Sequence, residues 1–342
     1  MPAEPADPFT PDQIGEIYRT LVKPTIFADS AGGEATPTLV LLSGQPGSGK
    51  SRASSRLVGE HLGMVALSGD DLRIFHPEYR QLISDAPEHA GPMLAEATRP
   101  WVRSAIQDAL EDRRSLLLEG TFGDSDTTLA TADRFRQAGF HVRVVALAAP
   151  RVLSVITVAS RYLRDLKVGN VARFTRLSAH DNGYEGTTRL VDTLEQTNAV
   201  NRVTIVSRKG TVLLDQSSGA ANTDASFTGA SRALHAGRHP GSWGARSTME
   251  LLGELKQVTR FAIESGHLTP GTADLLIEAH RRALDEVVPR LSVEPDSPQA
   301  QFIHQAVSEQ LVRLRRAATF GQPPAPEPAL SSLPDLAIEP DR

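Results

Sequence analysis

The sequence predicts an α/β fold in which a parallel sheet is covered by helices on both faces, followed by a C-terminal all-helical extension. Between residues 38 and 215, short aliphatic runs alternate with segments of helical periodicity. This alternation is typical of parallel strands joined by helical crossovers. From residue 247 onward only helical periodicity remains, which indicates the extension.

Each predicted element has its own local signal. Continuous aliphatic runs between turn residues predict strands at 38–43, 64–71, 115–122 and 141–149. A strand pair around an Arg-Lys-Gly turn is predicted over 202–215. Helical periodicity and start signals predict helices at 11–22, 49–61, 92–113, 126–138, 150–166 and 186–199.

Changes in composition divide the chain into five segments. These are a helical arm (1–37), the α/β domain (38–215), a flexible linker rich in Gly, Ser and Asn (216–246), the helical extension (247–320) and a Pro-rich disordered tail (321–342). Within the extension, three helices are expected near 247–264, 269–287 and 297–318. Thr269-Pro270 and Ser297-Pro298 are the start signals of the second and third.

The composition argues against several classes of protein. A net charge of −5 gives no support for binding to nucleic acid, and the absence of cysteine excludes disulfides, thiolate metal sites and cysteine nucleophiles. No apolar run approaches the ~20 residues that cross a bilayer. The first residues lack the basic and apolar regions of a signal peptide. We therefore expect a cytoplasmic protein with no membrane contact.

The stretch "LVLLSGQPGSGKS" at 39–51 carries the strongest functional signal. It completes the G-x-x-x-x-G-K-[ST] pattern between a predicted strand and a predicted helix. Glycines let such a loop curl so that its N–H groups point at phosphate oxygens, while the Lys50 ammonium reaches the β- and γ-phosphates and the Ser51 hydroxyl joins the Mg²⁺ shell. We expect a nucleoside triphosphate to contact eight consecutive residues: Gly44, Gln45, Pro46, Gly47, Ser48, Gly49, Lys50 and Ser51.

Among the classes that use such a loop, the remaining sequence favours a small-molecule kinase. It contains neither an N-K-x-D-type segment that would read a guanine base nor the longer tandem signatures of an ATPase motor. In small-molecule kinases a carboxylate after the next strand commonly accepts the proton of the acceptor hydroxyl. Asp70 and Asp71 in "SGDDLR" occupy that position, and aspartate there also suits a helix N-cap.

Phosphoryl transfer also requires positive charge around the moving group, and we expect it from residues 159–181, the lid segment. Its basic residues are Arg161, Arg164, Lys167, Arg173 and Arg176. Gly169-Asn170 predicts a bend that would let Arg161 and Arg173 converge from two sides. For any single arginine, a solvated surface position remains the alternative.

Taken in order, these segments resemble the zeta toxin family, the kinase half of a bacterial toxin–antitoxin pair. "SGQPGSGKS" is similar to the family's phosphate loop, "SGDDLRIFHPEY" to its G-D-x-[FL]-[KR]-x-x-H-P segment and "LLLEGTF" to its E-G-T strand. "SRYLRDLKVGNVARFTRLSAHD" is similar to its lid helix with the A-R and H-D pairs that follow. Order and approximate spacing agree over residues 38–215.

The resemblance implies a P-loop kinase fold that uses ATP and Mg²⁺. The implied reaction is phosphorylation of the sugar 3′-hydroxyl of UDP-N-acetylglucosamine or a related UDP-sugar, which would block cell-wall precursor synthesis. By the same resemblance Asp70 is the base and Asp71 its neighbour at the substrate. Arg161 and Arg173, together with Lys50, match residues that neutralise the transferring phosphoryl group.

The resemblance also implies substrate contacts. Glu119 and Thr121 match positions that line the nucleotide-sugar site. The helix before the E-G-T strand departs from the family pattern, because it carries Pro100 and Trp101. Glu96 is the candidate on that helix for the family's acidic substrate contact.

Two alternatives remain open from the sequence. A kinase resembling chloramphenicol phosphotransferase would use the same loop, carboxylate and lid on a different hydroxyl. A nucleotide-binding scaffold would use the helices of 247–320 to recruit a partner. Three helices also match the size and class of the family's antitoxin. We therefore expect an antitoxin partner, which is either a separate small helical protein or this chain's own C-terminal helices.

Overall fold

The computed structural model describes residues 10–30, 32–61, 63–218, 227–239, 244–291 and 297–320. Six strands form one sheet: β1 (Thr38–Ser43), β2 (Val65–Ser68), β3 (Leu116–Gly120), β4 (His141–Ala148), β5 (Arg202–Ser207) and β6 (Val212–Ser217). The strand order is β2-β3-β1-β4-β5-β6, and all neighbours are parallel except β5 and β6. The predicted α/β fold with a mostly parallel sheet is confirmed.

The described α-helices cover both faces of the sheet and continue beyond it. They are α1 (Pro11–Ile17), α2 (Lys23–Ile26), α3 (Lys50–Gly59), α4 (Tyr79–Asp85), α5 (Pro87–Glu111), α6 (Ser125–Gln137), α7 (Arg151–Lys167), α8 (Leu177–Leu194), α9 (Ala230–Arg238), α10 (Ala245–Glu264), α11 (Pro270–Arg282) and α12 (Pro298–Phe320). Within the described residues, no helix combines the length and the apolar character needed to cross a membrane.

β1 is a central strand with neighbours on both sides. Leu41 is paired with Leu118 of β3 and with Val144 of β4, and the whole run from Leu39 to Leu42 is buried. A strand buried on both faces needs apolar side chains in both directions, which explains the unbroken aliphatic sequence. In the sheet, β2 and β3 lie on one side of β1, and β4 lies on the other. Ligands bind at such a point, beyond the carboxyl ends of the strands.

The predicted start of α8 at residue 186 is wrong, since the helix begins at Leu177. Two glycines lie inside it, where they would ordinarily weaken a helix. A Cβ on Gly183 would lie 2.8 Å from Cγ2 of Thr121, and one on Gly186 would lie 2.8 Å from Cα of Gly123. These glycines therefore permit close packing of α8 on the loop after β3.

The predicted flexible linker over 216–246 is also wrong in its middle part. Residues 230–238 form α9, which packs on β4 and β5 and buries Ala230 and Leu234 together with the preceding Phe227. A Cβ on Gly237 would lie 2.5 Å from Cβ of Ala148, so the small residues of this segment allow close contact with the sheet. The rest of this range at 219–226 and 240–243, and the predicted tail from 321 to 342, lie outside the described residues.

The N-terminal arm packs on α5. The Thr10 hydroxyl accepts a hydrogen bond from the Gln13 N–H, which caps α1. Trp101, buried in α5, donates from Nε1 to the backbone oxygen of Ile14 at 2.8 Å. Trp101 thus holds the arm in place.

The C-terminal helices α10, α11 and α12, called the bundle below, share a hydrophobic core with α7. Val155 and Leu163 of α7 belong to one buried cluster with Leu255 of α10, Leu275 of α11 and Leu314 of α12. Along the chain, α7 comes directly after strand β4. This helix therefore connects the sheet to the bundle.

Candidate active site

The phosphate loop (residues 44–51) joins β1 to α3. Gly47 and Gly49 have φ angles of +77° and +101°, in the left-handed region that favours glycine. A Cβ on Gly47 would lie 2.3 Å from the backbone oxygen of Ser154 on α7. The loop's curvature therefore requires glycine both for its backbone angle and for its contact with α7.

Lys50 is held inside this loop. Its Nζ donates to the backbone oxygens of Gly44 at 2.6 Å and Gln45 at 3.1 Å. Burial disfavours the charged ammonium and lowers the pKa of Lys50 to about 8, although Glu119 and Asp70 act in the opposite direction. The Lys50 amine therefore lies within the phosphate loop, in the electrostatic field of the Glu119 and Asp70 carboxylates.

Asp70 follows β2 and binds two arginines. Its Oδ1 is 2.8 Å from Nη2 of Arg73, and its Oδ2 is 3.2 Å from Nη1 of Arg173. Burial alone would raise the pKa of Asp70, but Arg173 and Arg73 outweigh it and hold this pKa below its usual value. The carboxylate is ionised at neutral pH, as a proton acceptor must be.

Two further carboxyl groups lie in the same site and shift in the opposite direction. Burial raises the pKa of Glu119, at the end of β3, against a hydrogen bond from Ser54 and the charge of Lys50. Burial, opposed by Arg173, also raises the pKa of Asp71, and the neighbouring Asp70 adds to the rise. Carboxyl groups that are pushed apart in pKa commonly serve different roles in one site.

Arg161 and Arg173 lie on either side of a bend in the lid segment. α7 ends at Lys167, and Gly169, with φ +71°, turns the chain back toward the site. After burial, the charge of Arg173 is the main influence that lowers the pKa of Arg161, and Asp70 opposes it. Arg173 is thus paired with Asp70, and Arg161 lies within electrostatic reach of both.

The other basic residues of the lid segment face elsewhere. Arg164 donates to Oε1 of Glu254 in the bundle at 2.6 Å, and the Lys167 ammonium lies 6.0 Å from the ring centroid of Phe261. Arg176 donates from Nε to the backbone oxygen of Glu88 at the start of α5, at 2.6 Å. They anchor the lid segment instead of entering the site.

Sequence reasoning missed two arginines at this site. Arg73 lies three residues after Asp70 in a short 3₁₀-helix, Asp71–Phe75, and this spacing was a usable signal. Arg208, in the turn between β5 and β6, donates to the backbone oxygen of Gly47 at 2.7 Å and to Oγ1 of Thr157 at 2.9 Å. No local pattern indicates this second contact, because loop and turn are far apart in the chain.

The remaining predicted residues differ in how closely the structure relates them to the site. Thr121 lies just beyond the end of β3. It is next to the phosphate loop, since the Gly44 N–H donates to the backbone oxygen of the preceding Gly120 at 3.4 Å. The Gln45 side chain is fully buried and bonded to α7, so only its backbone is available to a nucleotide. Glu96 is exposed on α5 and makes no ion pair with any residue that the structure describes.

The oxygen atoms present suit Mg²⁺. Ser51 is exposed at the first turn of α3, and the carboxyl groups of Asp70, Asp71 and Glu119 influence one another's pKa values. Among the described residues, no group of three His, Asp or Glu side chains is placed to hold a metal alone. This arrangement fits Mg²⁺, which is commonly held by nucleotide phosphates, waters and one or two protein oxygens.

Comparison with known proteins places this geometry in a family. Residues 25–218 match the family model described as Zeta toxin. Toxin zeta of Enterococcus hirae and Toxin zeta of Streptococcus pyogenes are each 28% identical over 185 residues, which is 52% of this chain and 63% of theirs. The chain thus spans less than two thirds of the length of these curated relatives.

The fold is similar to that of a chain from the PezAT chromosomal toxin–antitoxin system of Streptococcus pneumoniae. The TM-score is 0.60 at 20% identity, over 74% of this chain and 98% of that one. This likeness concerns the fold, a P-loop kinase-like sheet with helices. The Zeta toxin family model matches more than half of this chain. The chain therefore belongs to the zeta toxin family.

Proposed function

We propose that the protein is an ATP-dependent kinase that phosphorylates a hydroxyl group of a nucleotide sugar. The observation that carries the proposal is the position of Asp70, an ionised carboxylate between Arg73 and Arg173 in the electrostatic field of Lys50. A kinase with an alcohol acceptor uses such a carboxylate to take the proton of the attacking hydroxyl.

In this proposal the phosphate loop and Lys50 bind the β- and γ-phosphates of ATP. The loop's N–H groups and the start of α3 favour negative charge there. The Ser51 hydroxyl would hold Mg²⁺ together with the phosphates, and the ion would supply charge neutralisation when bound. Arg161 and Arg173 bind the oxygens of the γ-phosphoryl group, whose charge spreads outward during transfer.

Asp70 is the proposed base. The acceptor oxygen attacks the γ-phosphorus, the bond from that phosphorus to ADP breaks, and the hydroxyl proton passes to Asp70. Without ligand, Asp70 is paired with Arg173. A bound γ-phosphoryl group competes for this arginine and so frees a carboxylate oxygen to accept the proton. Glu119 and Thr121, at the carboxyl end of β3, are proposed to contact the acceptor.

Family membership supports the choice of acceptor, for which we propose the sugar 3′-hydroxyl of UDP-N-acetylglucosamine or a related UDP-sugar. It also supports an antitoxin partner, because the structural neighbour comes from a toxin–antitoxin system. We propose that this partner is a separate protein. The bundle is fixed to α7 by a shared core, so it is a part of the fold itself.

The test is mass spectrometry of a panel of UDP-sugars after incubation with ATP and Mg²⁺. Wild type should add one phosphate to UDP-N-acetylglucosamine, and Asp70→Asn should lower the rate about 10²- to 10⁴-fold because the base is lost. Asp126→Asn, at an exposed aspartate of α6, is the matched control and should react like wild type.

Other outcomes would separate the alternatives. Turnover of a different hydroxyl compound such as chloramphenicol, with no UDP-sugar modified, would replace the acceptor but keep the kinase. Intact ATP binding without turnover in wild type and Asp70→Asn alike would favour a nucleotide-binding scaffold and contradict the kinase.

A further inference from the structure

A series of buried hydrogen bonds leads away from the phosphate loop into α7 and α8. Gln45 of the loop donates from Nε2 to Oγ of Ser154 at 3.2 Å, and Ser154 Oγ is 2.8 Å from Nε2 of His180. All three residues have no exposed surface. Buried polar groups of this kind are costly to leave unpaired, so each contact constrains the next.

The direction of these hydrogen bonds follows from the chemistry of the groups. His180 Nδ1 is 2.9 Å from Oδ1 of Asp181, and an ionised carboxylate can only accept, so Nδ1 carries the proton. Burial lowers the pKa of His180, so the ring is neutral and its Nε2 accepts. The Ser154 hydroxyl therefore donates to His180, its shortest contact, in competition with the backbone oxygens of Arg151 at 3.0 Å and Pro150 at 3.3 Å. Its oxygen accepts from Gln45.

The series continues into the bundle. Arg151 holds Asp181 with two hydrogen bonds, from Nε at 3.0 Å and from Nη2 at 2.7 Å. The Nη1 of the same guanidinium donates to Oε1 of Glu278 on α11. Glu278 is mostly buried, with 14% of its side chain exposed, and also accepts from Arg282 at 3.0 Å. Glu278 lies beyond residues 25–218, which match the family model.

At its other end, this series of hydrogen bonds reaches Gln45, a residue of the phosphate loop itself. The backbone oxygen of Gln45 accepts from the Lys50 ammonium at 3.1 Å and from the Ser48 N–H at 3.1 Å. If the Gln45 backbone shifted, the Lys50 ammonium and the Ser48 N–H that donate to its oxygen would shift with it. The Gln45 side chain is held by Ser154 and by the backbone oxygen of Ala149, to which Nε2 donates at 2.9 Å, so Ser154 supplies one of two constraints on its position.

We propose that Glu278 is a positioning residue for the phosphate loop, acting through Arg151, Asp181, His180 and Ser154 on Gln45. The bundle is then a working part of the nucleotide site. This inference rests on the proposed binding of ATP, but not on the acceptor or on catalysis. It opposes the view that the C-terminal helices restrain the enzyme.

The test measures the affinity of the full-length protein for ATP with Mg²⁺ by titration calorimetry. Glu278→Gln should weaken binding about fivefold, because coupled residues in one network commonly show effects of this size. Glu278→Asp keeps the charge and should recover part of the affinity. Glu286→Gln is the matched control, since Glu286 pairs with Arg282 and has no contact with Arg151.

A second background tests the route of the effect. Ser154→Ala interrupts the series, so adding Glu278→Gln to it should cause no further loss of ATP affinity. Unchanged or tighter binding in Glu278→Gln, or the same fivefold loss in the Ser154→Ala background, would overturn the proposal. A loss of thermal stability with normal ATP affinity would also overturn it, since that is a merely structural role. Wild type that binds no ATP would instead refute the proposed function.

Discussion

The site at the strand ends and the bundle both hold several arginines, but they satisfy them differently. In the bundle, Arg282 pairs with Glu278 and Glu286, and Arg164 of α7 pairs with Glu254. In the site, Arg161 has no ion pair with any described residue, and Lys50 is hydrogen-bonded to backbone oxygens alone. A single helix, α7, joins the two regions. They nevertheless differ in how their charged side chains are paired.

This difference separates structural charges from functional ones. A buried cation without an anionic partner is unfavourable, because burial removes its hydration and nothing replaces it. The lowered pKa of Lys50 records this cost. Arg161 is more exposed, and partial desolvation and the charge of Arg173 lower its pKa. A fold retains such charges where a ligand supplies the missing anion, and in the proposed function a nucleoside triphosphate does so here.

The largest expected effect comes from Arg161, which tests whether its unpaired charge is functional. Arg161→Met should lower the rate of phosphoryl transfer about 10³-fold, because it removes a cation from the transferring group. Arg164→Met, one turn further along the same helix, should stay within about twofold of wild type, since Arg164 faces Glu254 and exposed pairs of this kind contribute little. Steady-state rates measure both. Equal losses in the two variants would remove the distinction between the regions.

The next prediction concerns pH. Lys50, whose pKa is about 8, loses its proton in the ligand-free protein as the pH rises above that value. ATP binding then requires proton uptake, so the affinity for ATP should fall up to about tenfold per pH unit between pH 8 and 10. Titration calorimetry in buffers of different ionisation enthalpy measures affinity and proton uptake together. Lys50→Met should show no such inflection, and a flat wild-type profile would contradict the assignment.

The smallest effects concern stability without ligand, where the two regions should respond with opposite signs. Arg161→Met should raise the free energy of unfolding by about 0.5 kcal/mol, because it relieves repulsion by Arg173 that solvent partly screens. Arg282→Met in the bundle should lower it by about 1 kcal/mol, because two ion pairs are lost. Thermal unfolding of both variants measures the signs. Destabilisation by both substitutions would mean that the site's charges are balanced after all.

Local motifs predicted the parts of the site that depend on short spacing. The phosphate loop, Asp70 after β2 and the bend at Gly169 each lie within a few residues of the signal that revealed them. The contact of Arg208 with the loop was not predictable in this way, because 161 positions separate it from Gly47. The role of Gly183 inside α8 was not predictable either, since it lies in a contact with the distant Thr121.

The sequence by itself determined most of the strands and helices along the chain, the phosphate loop and part of the set of charged residues that surround it. These follow from chemistry within short windows, where propensity, capping and motif spacing act between neighbours. Only the tertiary structure decided which arginines enter the site, that α9 covers the sheet, and that Glu278 is connected to Gln45. Such contacts form between segments far apart in the chain, so packing selects them and no local pattern encodes them.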